Sequence, residues 1–202
     1  TYQFAAVGEN TGPTYELATS VESGETYLIV AKSGSDYYAL TTSSTTISST
    51  SYLLGSAVTV SGDFVEADDV TESMLWDFTT DGNGYDVMNG NNYLTRQSSA
   101  SAGMYISTTE AAAAYTDFMY VYGASGSQLR LLGGQNGDTY YYLQVSLNGS
   151  TYYFNNTTTA SSTIYLYKLT ESGVPITAAA VTDITEPIAG ATPDTTALTS
   201  TT

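Results

Sequence analysis

The chain has 202 residues, with 20 Asp plus Glu against 4 Lys plus Arg and neither His nor Cys, a formal charge of −16. Lys32, Arg96, Arg130 and Lys168 are too few cations to neutralise a phosphate backbone, and the surplus of acids is repelled by anionic headgroups, so nucleic acid and anionic membrane are excluded as partners. Without His or Cys there is no Ser–His–Asp triad, thiol nucleophile, disulfide or zinc-finger-type centre.

In chain order the elements read as strands. Tyr15-Glu16-Leu17-Ala18 is the first. Gly24-Glu25-Thr26-Tyr27-Leu28 follows a turn and runs into an apolar stretch, residues 27–31, and no apolar run exceeds five residues against the ~20 of a membrane helix, so no membrane insertion is expected. Asp36-Tyr37-Tyr38-Ala39-Leu40 alternates as a strand does. Residues 41–73 are surplus: a Ser/Thr tract, alternating Ala57-Val58-Thr59-Val60, and an acidic run with Glu66, Asp68, Asp69 and Glu72, expected to be an extra surface hairpin with a solvated tip.

Further strands are expected at Met74-Leu75-Trp76-Asp77-Phe78, Gly84-Tyr85-Asp86-Val87-Met88, Gly90-Asn91-Asn92-Tyr93-Leu94, Gly103-Met104-Tyr105-Ile106-Ser107, Asp117-Phe118-Met119-Tyr120-Val121-Tyr122 and Gln128-Leu129-Arg130-Leu131-Leu132. The last are Gly137-Asp138-Thr139-Tyr140-Tyr141-Tyr142-Leu143, Thr151-Tyr152-Tyr153-Phe154-Asn155 and Thr163-Ile164-Tyr165-Leu166-Tyr167. From 171 to 202 the composition turns to Thr, Ala and Pro without an aromatic residue, as in a linker or the first strand of a following domain. The 19 Tyr, against 5 Phe and 1 Trp, together with abundant Thr, suit pleated, half-wet surfaces and are poor helix material.

The order of strands repeats. A Tyr-Leu strand at 27–28, 93–94 and 142–143 is followed each time by a second and a third strand, and in the first two units by a fourth. The third unit lacks its fourth, and the N-terminal segment, residues 13–19, supplies it. The expected fold is all-β: a β-trefoil over residues 1–170, with repeats at about 20–90, 91–138 and 139–170, plus an extended C-terminal tail. A sandwich of similar strand number has no reason to repeat its strand order three times. The marker spacing is uneven: Leu28 to Leu94 is 66 residues and Leu94 to Leu143 is 49.

The series Tyr27-Leu28, Tyr38-Ala39-Leu40, Leu75-Trp76-Asp77-Phe78, Tyr93-Leu94, Tyr142-Leu143 and Ile164-Tyr165-Leu166-Tyr167-Lys168 resembles the ricin-type β-trefoil modules of large surface proteins of Gram-positive bacteria. The segment from Ile184-Thr185-Glu186-Pro187 to Thr192-Pro193-Asp194 resembles the opening of the immunoglobulin-like repeats that often follow such modules. The resemblance implies an extracellular, secreted or cell-surface location and a role in glycan binding or adhesion. Sugar-binding ricin-type repeats usually carry Gln-x-Trp in the third strand; this chain has only Trp76, after Met74 and Leu75.

Sugar rings stack on Tyr and Trp while neighbouring Asp and Asn bond their hydroxyls, so aromatic plus Asp/Asn at a turn marks a shallow glycan site. Each unit has one such cluster: Asp36, Tyr37 and Tyr38; Tyr85, Asp86 and Asn92 with Asn91 and Tyr93; and Tyr152, Tyr153 and Asn155 with Asn156. In each adjacent pair of tyrosines one faces the core. Asp81-Gly82-Asn83-Gly84-Tyr85-Asp86 sets oxygen ligands at alternate positions, Asp81, Asn83 and Asp86, which makes calcium the one ionic partner the sequence offers, although the distal Glu of an EF-hand is missing. Paired carboxylates are the only catalytic chemistry left, and the sequence singles out no pair. The expectation is therefore a non-catalytic, lectin-like module binding glycans or a surface or host protein. The alternative is a structural or protein-binding module of a surface fibre or stalk, with the 171–202 tail contacting a neighbouring domain or chain.

Overall fold

The computed structural model describes residues 14–80, 82, 84–99, 102–131, 140–161 and 163–170, all within one compact unit, Asn10–Ser172. The tail reading at 171–202 lies outside the described residues. Within them the protein is all-β, with fifteen strands hydrogen-bonded into one antiparallel sheet. The strands are β1 (Thr14–Leu17), β2 (Glu25–Ser33), β3 (Asp36–Ile47), β4 (Thr50–Val58), β5 (Val60–Ser61), β6 (Phe64–Val65), β7 (Leu75–Thr80) and β8 (Tyr85–Asn89). They continue as β9 (Asn92–Arg96), β10 (Met104–Ser107), β11 (Asp117–Val121), β12 (Gln128–Leu131), β13 (Tyr141–Asn148), β14 (Thr151–Thr157) and β15 (Ile164–Thr170). A four-residue helix, α1 (Ala113–Thr116), precedes β11, and no helix among the described residues is long and apolar enough to cross a membrane.

β2 organises the sheet. Five consecutive residues, Tyr27, Leu28, Ile29, Val30 and Ala31, are fully buried, because the strand is covered on both faces. Tyr27, Ile29 and Ala31 enter the main core; Leu28 and Val30 enter a second cluster with Tyr15, Val58, Val65, Met74 and Tyr167. One edge of β2 pairs with β15, and the other pairs first with β7 and then with β3. From β7 the pairing continues to β8, β11 and β12. Ser127, just before β12, accepts the amide of Ile164 in β15 at 3.1 Å, which brings the path back to β2.

The N-terminal strand pairs with the last one, Tyr15 opposite Leu169 and Leu17 opposite Tyr167. Its other edge takes β6, so β1 and the β5–β6 hairpin together cover the outer face of β2 and β15. The surplus stretch does supply an extra hairpin, β5–β6, with Glu66, Asp68 and Glu72 exposed, and it adds apolar cover beneath them. Its Ser/Thr tract forms the long β3–β4 hairpin, where β-branched Thr suits an exposed pleat, and Val65 and Met74 are buried in the second cluster. Its acidic run is tied in by Asp69, whose Oδ2 accepts the Thr59 amide at 2.6 Å.

Three hairpins, β3–β4, β9–β10 and β13–β14, meet one another. β4 pairs with β14, Leu53 opposite Phe154, and Gly103 bridges to Asn155. Gly103 lies so close to the β3–β4 hairpin that a Cβ would stand 1.8 Å from the Ser51 carbonyl oxygen. The main core draws on every region: Leu40, Leu53, Trp76 and Phe78; Val87, Leu94, Met104 and Phe118; Leu129, Leu143, Phe154 and Leu166. Trp76 is fully buried and its indole N–H donates to the Leu40 carbonyl at 3.0 Å, so its one polar group is satisfied inside the core.

The β3–β4 turn is built against residue preference. Ser48 and Ser49 both take positive φ, 47° and 71°, in a two-residue loop that favours Asn-Gly. Replacing Ser48→Asn and Ser49→Gly together should stabilise the protein by about 1 kcal/mol, since backbone strain of this kind costs of order 1–3 kcal/mol per residue. Urea denaturation checks this, and an unchanged or lowered midpoint would contradict the turn geometry.

Candidate functional site

The cluster at Asp36, Tyr37 and Tyr38 lies where the β2–β3 turn approaches the end of β4. These residues line an open cleft of ≈ 480 Å³ with Ser35, Ala57, Val58, Thr59 and Val60. Asp36 is exposed, and the Ser35 hydroxyl donates to its Oδ1 at 3.2 Å. The Tyr37 ring is half-buried against the second cluster, with Lys32 Nζ 5.4 Å from its centroid. The far wall is held by the Thr59–Asp69 hydrogen bond. A carboxylate, two hydroxyl-bearing residues and an aromatic ring thus share one open surface, the donor and acceptor set that a polyol needs.

Tyr38 turns the other way. It is 9% exposed, and its ring stacks on Tyr152, centroids 3.6 Å apart and planes within 19°. The two rings come from strands on either side of β4 and lean together above Gly55, where a Cβ would meet Tyr38 Cβ and Phe154 Cε2 at 3.2 Å. Glycine makes the room and the aromatic pair fills it. The hydrogen bond to Tyr152, with burial and neighbouring charge, pushes the Tyr38 hydroxyl up to about 12.

Asn91 is exposed, while most of the remaining members of the sequence-derived clusters are engaged in packing or in hydrogen bonds within the fold. The Tyr85 hydroxyl donates to the Val21 carbonyl at 3.0 Å and its ring tilts against Phe78. Asp86 is half-buried in β8, opposite Asp117 of β11. Asn92 donates to the Asn89 carbonyl across its own turn. Tyr153 packs on Tyr52 at 4.6 Å. Asn155, 6% exposed, accepts from Ser146 at 3.5 Å, and Asn156, fully buried, donates to the Ala102 carbonyl through both its amide side chain and its backbone. The asparagines of the third cluster therefore join β14 to the β9–β10 hairpin. For calcium, Asp81 and Asn83 lie outside the described residues, and among those described no three acidic side chains converge as a cation site.

A second open cleft of ≈ 480 Å³ has no counterpart in the sequence reading. Arg96, Gln97, Ser98, Tyr105, Ala111, Ala112 and Tyr115 line it. The Arg96 guanidinium is held between two rings, 3.8 Å from Tyr141 and 4.4 Å from Tyr115, and Nη1 donates to the carbonyls of Gln97 and Ser98. Burial lowers its pKa from the ordinary value. Cation–π contacts take up the charge of a residue that is 1% exposed. The only sequence signal is that Arg96 is one of four cations in a chain of 202 residues. A smaller cleft of ≈ 300 Å³ is walled by Thr41, Ser43, Ser56, Thr71 and Ser73 above Met74.

No family model matches the chain, and no curated protein matches it.

The buried tyrosines set an alkaline limit. Burial raises Tyr15, Tyr27, Tyr120 and Tyr167 above the ordinary 10.0, and Tyr38 rises to about 12. A raised acid group is bound more tightly as its neutral form in the folded state. Its contribution is complete below pH 10 and is lost as the pH climbs through about 12. Phenolate absorbance from this set should therefore emerge above pH 10 together with loss of the β-sheet circular dichroism. Ionisation of these residues below pH 10 with the fold intact would contradict the packing.

Proposed function

We propose that the chain is a non-catalytic, extracellular carbohydrate-binding module built as a β-trefoil, similar to the ricin-type modules of Gram-positive surface proteins. The strand pairings support the trefoil. β2, β7, β8, β11, β12 and β15 follow one another around a ring, and each pair in a unit brackets one hairpin: β3–β4, β9–β10 and β13–β14. In this frame β1 is an added strand outside the twelve. The equivalent leucines are Leu40, Leu94 and Leu143, each in the first strand of a hairpin and buried in the same core. Their spacings, 54 and 49 residues, are more even than those counted from Leu28.

The observation that carries the binding function is the cleft beside Asp36 and Tyr37. An exposed carboxylate can accept from two adjacent sugar hydroxyls while the half-exposed ring offers a face for stacking. The ligand this favours is a neutral glycan, since a carboxylated sugar would meet Asp36. The fate of the other two clusters favours the second reading, a structural or protein-binding module, because their side chains are taken up by packing.

A glycan array separates the two. Neutral glycans should bind the folded protein, and Tyr37→Ala and Asp36→Ala should each weaken binding about tenfold, ~1.4 kcal/mol, without loss of fold. A blank array with folded protein, or undiminished binding by both variants, would overturn the glycan reading.

A further inference from the structure

We propose that Tyr38 and Tyr152 are an oxidative cross-linking site, at which a one-electron oxidant joins the two rings into a dityrosine that ties β3 to β14. Among the described aromatic pairs this geometry is specific to Tyr38 and Tyr152. Their centroids are 3.6 Å apart with planes 19° from parallel, closer than the about 4.5–7 Å usual for aromatic pairs. Two near-parallel rings at this separation lie face to face in direct contact, and the ring carbons ortho to each hydroxyl carry the unpaired spin of a phenoxyl radical. The tilted pair Tyr52 and Tyr153, 4.6 Å apart and 58° from parallel, lacks this arrangement.

The step balances with a peroxide as oxidant, activated by a haem peroxidase. One electron and the phenolic proton leave each ring, giving two phenoxyl radicals, and an ortho carbon of each forms the new C–C bond. The two ortho hydrogens then return to the oxygens as the rings regain aromaticity. Overall two C–H bonds break, one C–C bond forms, and two electrons with two protons reduce one peroxide to two waters. Tyr152 is partly exposed, which gives the oxidant access to the stack.

The position matters for this chain. It has no cysteine, and the two tyrosines are 114 residues apart in sequence yet joined across β4. A covalent link that closes so long a loop restricts the unfolded chain strongly, as a disulfide would. Gly55 beneath the rings keeps them in register, since any side chain there would press on Tyr38 and Phe154.

The test treats dilute protein with hydrogen peroxide and a haem peroxidase and isolates the monomer. The expected product is lighter by two hydrogens, fluoresces as dityrosine, gives a cross-linked peptide containing Tyr38 and Tyr152 as the dominant intramolecular product, and has a raised urea midpoint. Tyr152→Phe, which keeps the ring and hence the packing, should remove both the peptide and the shift in midpoint while circular dichroism stays unchanged. An oxidised, folded monomer without dityrosine, or one joined mainly at another pair such as Tyr52 and Tyr153, would overturn the proposal.

Discussion

The structure depends on burying β2 on both faces while bonding it along both edges. Tyr27, Ile29 and Ala31 point into the main core; Leu28 and Val30 point away from it. Each side chain of this size contributes about 1.5–3 kcal/mol when fully buried. The outward pair would forfeit that contribution if nothing covered it. β1, the β5–β6 hairpin and Met74 supply the cover, which gives the acidic stretch after β4 a structural purpose. The contacts of Lys168 with Glu22 and Glu25 lie at the exposed margin of β2 and β15, where water screens them, so burial rather than ion pairing holds this strand.

Tyrosine is the material suited to this arrangement. A sheet with few charges needs side chains that fill the core with one end and meet polar groups with the other. Tyr27 does so by accepting the Glu22 amide at 2.8 Å, Tyr85 by donating to Val21, and Tyr120 by donating to the Ala18 carbonyl and accepting the Leu166 amide. These hydroxyls satisfy backbone groups in the 18–22 segment and β15 that would otherwise lose water on folding. The same residue type stacks over Gly55 and holds Arg96, so the high tyrosine content serves structure before recognition.

Most strands were legible from alternation, because Thr, Tyr and Leu at period two leave little else to form. The partners of each strand were harder to read. Tyr-Leu occurs at 27–28 and again, as Tyr-Ala-Leu, at 38–40, and only the pairing of β2 with both β15 and β7 separates them. The cover over Leu28 and Val30 depends on contacts between distant segments, which no local pattern records. At the site, Asp36 and Tyr37 were visible because they are adjacent in sequence and sit beside a turn. The hold on Arg96 was not, since Tyr115 and Tyr141 reach it only through the fold.

Native-state hydrogen exchange measures the central claim directly. If β2 is buried on both faces and bonded on both edges, the amides of residues 28–31 exchange only through global unfolding, with the free energy that urea denaturation reports. Exchange of those amides through local openings, as fast as the amides of the β9–β10 hairpin, would contradict the account.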